Sequence, residues 1–382
     1  MNKYYLSTPS IVCSAGNENE VLNALYEQKR CLKNKELYGK TFLVGEVERI
    51  TRSSDFPQEL QMFYTRSNAL LFESMLKFST LTQRLKAQYG KNRIGVCIGS
   101  TTAGIEENYQ RYLKDADSFS QYHQEFSSPA HPADFLQKFF GLGGVKFGVS
   151  TACTSGLKAL IQGYRLLESD LCDCVFVGGV DSLSSISLFG FDSLGILSLK
   201  PCIPFSSYRE GINIGEGACL MLMSKEPLDS SVYLESFSSN NDAFHLTKQD
   251  AQAQKAIQAL NTVVGEKQVD YVNLHATGTL ANEVAESLTI SSVLPNTPAS
   301  GIKGCIGHTL GATGAIEAGI CTLLLNQHQA LLPPHIYDGH YDETLPKISL
   351  ITQPIRKKLE HVVSVNFAFG GDNAVAMFGR EK

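Results

Sequence analysis

Short apolar runs alternate along this chain with longer stretches in which apolar residues recur at helical spacing. The clearest short runs have strand length and cover residues 93–100, 174–181, 218–223, 269–274 and 361–366. Helical spacing is clearest over 157–167, and further helices are predicted near 133–140, 251–264, 281–293 and 315–326. Strands that alternate with helices predict mostly parallel sheets covered by helices, with functional residues at the carboxyl ends of the strands.

The order of these units is similar in two parts of the chain. The pattern restarts near residue 230, and a strand leads into a glycine pair in each part, at 178–179 and again at 370–371. Shared order of this kind favours an internal duplication. We therefore predict an α/β protein of two similar halves, residues 1–230 and 231–382.

One cysteine lies at a turn between a predicted strand and a predicted helix. An apolar segment at 145–149, which predicts a buried strand, precedes Cys153, and helical spacing begins at Leu157. Unpaired N–H groups and the dipole at a helix N-terminus stabilise an anion, so they lower the pKa of a thiol placed there. Cys153 is therefore either a catalytic nucleophile or one more buried cysteine.

Composition narrows the function classes. The 382 residues, 43% hydrophobic and 19% charged, are typical of a globular protein with a substantial core. A net charge of -5 without a run of basic residues argues against a nucleic-acid partner. The N-terminus lacks the apolar core of a signal peptide, and no apolar run is long enough to cross a bilayer. We therefore predict a cytoplasmic protein without a membrane span.

Ten cysteines are scattered along the chain without a Cys-x-x-Cys pair. Several lie in strand-like apolar segments, as Cys97 does. Cys172 and Cys174 flank Asp173 at the start of a strand, which is a poor geometry for zinc. This distribution favours reduced core thiols over disulfides or a metal site.

Reactive residues also follow other predicted strands. His275 comes directly after the strand 269–274, Lys303 and His308 lie in the glycine-rich stretch 301–314, and Phe-Ala-Phe-Gly-Gly at 367–371 follows the strand 361–366. A single histidine is more often a structural hydrogen-bonding group, and a single lysine is more often a surface charge. A cysteine with distant histidines is nevertheless the arrangement expected for covalent acyl chemistry, in which a thiolate attacks a carbonyl and donors stabilise the oxyanion.

Five motifs in this order resemble those of the elongating β-ketoacyl-[acyl carrier protein] synthases, which belong to the thiolase superfamily. They are Thr-Ala-Cys-Thr-Ser-Gly at 151–156, Pro-Phe at 204–205 with Arg-Glu-Gly at 209–211 and Gly-Glu-Gly at 215–217, His-x-Thr-Gly-Thr at 275–279, the stretch 303–318, and Asn-Phe-x-Phe-Gly-Gly at 366–371. The similarity covers most of the chain. It implies a thiolase fold, in which duplicated βα halves form a layered αβαβα core.

The resemblance implies an acyltransferase that catalyses a decarboxylative Claisen condensation in fatty acid, polyketide or aryl-polyene biosynthesis. Cys153 would take an acyl chain from the phosphopantetheine thioester of an acyl carrier protein, and backbone N–H groups of Cys153 and Phe369 would hold the oxyanion. His275 and His308 would stabilise the enolate formed from malonyl-carrier protein. No bound cofactor or metal is implied, because the substrates arrive on phosphopantetheine.

The same resemblance implies supporting roles for other residues. Lys303 would orient the site and pair with Glu286, and Glu317 would be a second supporting carboxylate. Thr277 and Thr279 would contact the pantetheine arm.

Three further residues would shape the substrate path. Phe369, with Phe367 beside it, would gate the site between acylation and condensation. Thr102 would line the acyl tunnel, where a small polar side chain favours a polyene or aryl-primed chain over a plain saturated one.

Four positions depart from the family's usual residues: Ala276 and Ala368 replace glycine, Glu283 replaces aspartate and Asp372 replaces threonine.

The motifs disfavour two kinds of rival. A degradative thiolase would carry a second cysteine in the C-terminal Gly-Gly turn, but no cysteine follows Cys321, and a priming synthase would have asparagine in place of one histidine. A non-catalytic chain-length-factor subunit would usually lack the nucleophile, whereas Cys153 and both histidines are present.

The partners implied by the resemblance are an acyl carrier protein and either a second copy of the chain or a chain-length-factor-like subunit. Residues 184–194 would contribute to the dimer contact.

Overall fold

The computed structural model describes residues 2–114 and 122–381. Its strands are β1 (Tyr4–Leu6), β2 (Ser10–Cys13), β3 (Lys33–Leu37), β4 (Lys40–Gly45), β5 (Ile94–Gly99), β6 (Lys146–Val149), β7 (Cys174–Asp181), β8 (Ile214–Gly215), β9 (Gly217–Ser224), β10 (Val232–Asn241), β11 (Tyr271–Leu274), β12 (Ala299–Gly301), β13 (Ala330–Leu332), β14 (Ile355–Lys357), β15 (His361–Ala368) and β16 (Asp372–Arg380). Its helices are α1 (Glu18–Tyr26), α2 (Arg66–Met75), α3 (Ser79–Tyr89), α4 (Ile105–Lys114), α5 (His131–Phe140), α6 (Ser155–Glu168), α7 (Ser185–Ser193), α8 (Gln254–Val264), α9 (Leu280–Val293), α10 (Lys303–Ile306) and α11 (Thr313–Leu325).

An 11-stranded sheet, counted over the described residues, runs through both halves of the chain. Its order is β12-β11-β15-β16-β10-β1-β9-β7-β5-β6, and β2 also pairs with β9. In each half three parallel strands continue into antiparallel ones: β6, β5 and β7 into β9, and β12, β11 and β15 into β16 and β10. The repeat matches the predicted duplication, but the sequence pattern does not predict that β9, β10 and β16 pair in the antiparallel direction. The division at residue 230 stays a prediction.

Two helices form the middle layer of the molecule. Every residue of α11 except Leu323 is buried, as expected for a helix that is apolar on all sides. Together α6 and α11 share a hydrophobic cluster with strands of both halves. Separate clusters hold α2 and α5 against the first half of the sheet, and α8 and α9 against the second. The predicted helix-sheet-helix-sheet-helix layering is confirmed.

Two strand predictions are wrong in detail. The segment 145–149, predicted to be buried, contains β6, which lies at the sheet edge and leaves Phe147 41% exposed. An apolar run does not reveal how many neighbours a strand has. The strand predicted to be the last one is followed by β16, so Gly370 and Gly371 form the turn of an antiparallel hairpin with φ angles of 85° and 72°.

Two further observations concern the helices and the cysteines. Among the described residues, no helix has both the length and the apolar character needed to cross a membrane. The ten cysteines all lie within that part of the chain and are free thiols.

Candidate active site

The carboxyl ends of three parallel strands meet at one site. β6 leads into Cys153, β11 leads into His275, and β12 leads into α10, which begins at Lys303 and is followed by His308. Ligand atoms of Cys153, His275 and His308 all lie within 4.8 Å of one another, and the three side chains are buried. The structure therefore brings the predicted nucleophile and both predicted histidines together.

This trio also contains the donor atoms that soft metal ions prefer. Among the described residues, Cys153, His275 and His308 form the one set of three potential ligand side chains that is compact enough to hold an ion. The buried ammonium of Lys303, however, lies 3.3 Å from Nδ1 of His275. A cation in the cavity would be repelled by this charge, so the electrostatics favour anionic intermediates.

The turn that carries Cys153 is held in an unusual backbone conformation. Ala152 has a φ angle of 52°, in the left-handed region where Cβ approaches the backbone carbonyl. The hydroxyl of Ser155 accepts from the N–H of Thr151 at 2.9 Å and donates to the carbonyl of Ala152 at 2.6 Å. These two hydrogen bonds stabilise the turn that presents the thiol to the cavity at the start of α6.

The thiol itself is protonated in the resting enzyme. Burial raises the pKa of Cys153 to about 12, and the opposing effects of Lys303 and of two backbone N–H groups are smaller. The expectation that the helix N-terminus lowers this pKa is therefore wrong for the free enzyme, because desolvation outweighs the dipole. Sγ lies 3.0 Å from Nε2 of His308, which is within hydrogen-bond distance of the sulfur.

This ionisation state predicts the pH dependence of alkylation. Because the thiolate is the reactive form, iodoacetamide labelling of Cys153 should rise by about tenfold per pH unit from about pH 6 to pH 9 without a plateau. Peptide mass spectrometry measures the rate, in a Cys31→Ala background because Cys31 is partly exposed. A plateau near pH 7 would contradict the buried, protonated thiol.

Both imidazoles are held in the same tautomer. The N–H of Leu310 donates to Nδ1 of His308, and the ammonium of Lys303 donates to Nδ1 of His275. Each Nδ1 is therefore an acceptor, which places the remaining proton on Nε2. Burial and the nearby Lys303 charge lower the pKa of both histidines well below its usual value, so the rings are neutral donors.

Lys303 has a different partner from the one predicted. Its Nζ lies 2.6 Å from Oε1 of Glu317 on α11, and the amide of Asn366 donates to the other oxygen. The predicted pairing with Glu286 is wrong. Glu286 instead accepts from the backbone N–H groups of His275 and Ala276 at 2.6 and 2.8 Å. Glu286 thus shapes the turn after β11, whereas Glu317 balances the buried charge.

The Lys303–Glu317 pair predicts a large stability effect, since both side chains are almost inaccessible to solvent. Glu317→Gln should lower the free energy of unfolding by about 3–5 kcal/mol, because it leaves a buried ammonium unpaired. The double variant Glu317→Gln/Lys303→Met should recover most of that loss. Chemical denaturation measures both values.

The exposed pair Lys347–Glu343 supplies the control. Glu343→Gln should change the free energy of unfolding by no more than about 1 kcal/mol. An equally small effect of Glu317→Gln, or no recovery in the double variant, would contradict the assigned pairing.

Two backbone N–H groups converge on the sulfur. Those of Cys153 and Phe369 lie near enough to Sγ to favour its charged form. The Phe369 ring packs 5.6 Å, centroid to centroid, from that of Phe191. Ala368 is the last residue of β15 and has strand conformation, so the glycine common in the family is not required for this backbone. The pair of N–H groups is suited to hold an oxyanion.

A cavity of about 480 Å³ opens onto the three reactive side chains. Its apolar wall is formed by Phe191, Leu194, Ile196, Ile212, Leu280, Phe367 and Phe369. Thr277 and Thr279 lie on the same wall, with their hydroxyls 3.0 Å apart. The structure therefore places both predicted pantetheine contacts and both phenylalanines beside the nucleophile.

Thr102 is not part of this cavity lining. Its hydroxyl donates to Oδ1 of Asp181 at 2.9 Å, in the buried interior. The small polar side chain is explained by this bond, so the inference from Thr102 to a polyene or aryl-primed chain loses its basis.

Asp181 is a buried residue that the sequence reasoning missed. Its carboxylate accepts from the hydroxyls of Ser100, Thr101 and Thr102, and from the N–H groups of Thr101, Thr102 and Gly311. It thereby ties the turn after β5 to the segment that follows His308. A single carboxylate at the end of an entirely apolar strand is the signal that could have revealed it, because a buried charge needs such donors.

Comparison with known proteins identifies the family. A model of the β-ketoacyl synthase N-terminal domain matches residues 74–227, and a model of the C-terminal domain matches residues 231–337. The chain belongs to the β-ketoacyl synthase family. The resemblance read from the sequence motifs is confirmed, and the ketosynthase is an acyltransferase.

Relatives of this ketosynthase include 3-oxoacyl-[acyl-carrier-protein] synthases and polyketide ketosynthases. A 3-oxoacyl-[acyl-carrier-protein] synthase 2 from Vibrio cholerae is 30% identical over 75% of this chain and 76% of its own. The ketoacyl synthase alpha subunit of the tetracenomycin polyketide synthase from Streptomyces glaucescens is 27% identical over 78% and 76%. A chain from the solved complex of a ketosynthase with its chain length factor, from Xenorhabdus doucetiae, matches 100% of this chain and 98% of its own at 33% identity, with a TM-score of 0.92.

Proposed function

We propose that this ketosynthase condenses malonyl-carrier protein with an acyl chain held on Cys153, with His275 and His308 as the decarboxylation donors. The observation that carries the proposal is the trio of reactive atoms within 4.8 Å, with a donor already at Nδ1 of each histidine. Two neutral Nε2–H groups beside one sulfur suit a reaction that passes through an enolate and an acyl-enzyme.

In the first step the acyl group moves to the enzyme. The sulfur of Cys153 forms a bond to the thioester carbon, the bond to the pantetheine sulfur breaks, and the thiol proton passes to the departing pantetheine. The tetrahedral oxyanion is held by the N–H groups of Cys153 and Phe369. The acyl chain then lies against the apolar wall of the cavity.

In the second step malonyl-carrier protein loses carbon dioxide. The electron pair of the broken carbon–carbon bond becomes an enolate, whose oxygen accepts hydrogen bonds from Nε2 of His275 and His308. The enolate carbon attacks the acyl-cysteine, and the thiolate of Cys153 leaves. Lys303 keeps Nδ1 of His275 occupied, so that ring donates only through Nε2.

The proposed partners follow from this chemistry. Substrates arrive on the phosphopantetheine of an acyl carrier protein, so the enzyme itself needs no further cofactor. By analogy with the Xenorhabdus complex, we place the chain as the catalytic member of a dimer, either with a second copy or with a chain-length-factor-like subunit. The free thiols agree with a reducing, cytoplasmic location.

A condensation assay tests the proposal. The purified chain, alone or with a co-expressed partner, is mixed with octanoyl- and malonyl-carrier protein. The expected products are a 3-oxoacyl-carrier protein two carbons longer and an equal amount of carbon dioxide. If the chain alone forms no acyl-enzyme but accelerates a separate ketosynthase, the non-catalytic chain-length-factor reading replaces this one.

A further inference from the structure

One carboxylate bridges the hairpin turn and the nucleophile helix. Asp372 begins β16 and pairs across the hairpin with Ala368, the residue before Phe369. Its Oδ1 lies 2.6 Å from Nζ of Lys158 on α6, and its Oδ2 accepts from the hydroxyl of Thr154. Thr154 directly follows Cys153 in sequence. The bridge therefore joins the residues next to both proposed oxyanion donors.

The surroundings of this bridge strengthen it. The Lys158 and Asp372 side chains are only 19% and 15% exposed, and Thr154 is fully buried. Charge-assisted hydrogen bonds in such partly dry settings are shorter and stronger than neutral ones. The Thr151 hydroxyl lies 2.9 Å from that of Thr154, which extends the hydrogen-bond chain to the other side of Cys153.

The opposite side of the hairpin turn is attached to a different segment. The N–H of Gly370 donates to the carbonyl of Leu246 at 2.7 Å, and the amide of Asn241 donates to the Gly370 carbonyl at 2.8 Å. Leu246 is 81% exposed, so this attachment is to a solvent-facing segment. The turn that carries Phe369 thus lies between an exposed segment and the buried nucleophile helix, and Asp372 makes a bond to the helix.

We propose that Asp372 is a positioning residue that, through Lys158 and Thr154, fixes the N–H of Phe369 against Cys153 and so preassembles the oxyanion pocket. This inference rests on the proposed function. Threonine, the residue that the resemblance leads one to expect at this position, is uncharged and could not form the ion pair with Lys158. The negative charge of Asp372 beside the Phe369 turn is thus a feature of this chain rather than of the family's usual sequence.

Rapid-quench acylation kinetics test the role. In Asp372→Asn, Asp372→Thr and Lys158→Met the rate of octanoyl transfer to Cys153 should fall about tenfold. This loss is smaller than that caused by removing an oxyanion donor, because the Phe369 N–H is still present but is less well positioned. KM for the octanoyl-carrier protein should stay unchanged, because the bridge does not touch the substrate. The double variant Asp372→Asn/Lys158→Met should be no slower than either single variant, because both remove the same interaction.

Lys357→Met is the matched control, since it breaks a similar Lys–Asp pair with Asp270, which lies just before β11 at the strand end away from His275. It should acylate at the wild-type rate. Wild-type rates in the Asp372 and Lys158 variants, additive losses in the double variant, or an equal loss in the control would overturn the positioning role. Absence of any adduct on the wild type would overturn the proposed function instead.

Discussion

Condensation should fall by at least about 10³-fold in Cys153→Ala, because the acyl chain then has no covalent attachment. Decarboxylation of malonyl-carrier protein should continue in the same variant, since His275, His308 and the donors at their Nδ1 atoms remain. The two activities are separated by following carbon dioxide release and the mass of the carrier-protein product in parallel. Cysteine removal thus uncouples the two steps of the proposed reaction.

Cys174→Ala provides the control for this experiment. Cys174 is also a buried free thiol, but it begins β7, at the opposite end of that strand from Asp181. Its removal should leave both activities near the wild-type level. Condensation retained in Cys153→Ala, or lost equally in Cys174→Ala, would mean that Cys153 is not the residue to which the acyl chain is attached.

His308→Ala should give the reverse pattern. Loss of one Nε2–H donor should slow decarboxylation by about 10²–10³-fold, the usual cost of removing an oxyanion donor. Acylation of Cys153 should persist, because the backbone N–H groups of Cys153 and Phe369 are unaffected. Carbon dioxide release and intact mass of the enzyme measure the two steps separately.

His361→Ala is the matched histidine control. His361 begins β15, at the strand end far from Phe367, and its ring contacts Glu235 at 2.7 Å. This variant should decarboxylate at the wild-type rate. Undiminished decarboxylation in His308→Ala would remove His308 from its assigned role.

The layered fold and part of the reactive trio could be predicted because they depend on patterns that are local in the sequence. Strand-length apolar runs followed by helical spacing imply βα units, and parallel βα units collect residues at the carboxyl ends of strands. Cys153 and His275 each follow such a strand, whereas His308 comes after the three-residue β12 and α10, which the hydrophobic pattern does not predict. The hairpin is harder to predict, because a glycine pair after the strand 361–366 is typical both of the end of a strand and of a turn that leads into another strand.

The partner of Lys303 was mispredicted because sequence order does not show which helix faces the ammonium. Glu286 and Glu317 lie at similar distances from Lys303 along the chain, on either side of it, and only the structure shows that Glu317, on the central helix, faces the ammonium. A signal for Glu317 was nevertheless present. It is the single carboxylate in α11, which is otherwise made of small, apolar and threonine residues, and a carboxylate buried in such a helix needs a cationic partner.

The state of the thiol depends on a balance that the sequence does not contain. A helix N-terminus stabilises a thiolate, and the neighbouring N–H groups and Lys303 act in the same direction. Burial in the assembled molecule outweighs them and keeps Cys153 protonated. The amount of burial is a property of the assembled layers, so only the structure reveals which effect is larger.

Intact-protein mass spectrometry after mixing with octanoyl-carrier protein tests directly whether Cys153 carries the acyl chain. Wild type should gain the mass of one octanoyl group, and peptide mapping should place it on Cys153, whereas Cys153→Ala should gain none. No adduct on the wild type, or an equal adduct on Cys153→Ala, would show that Cys153 is not the acylated nucleophile.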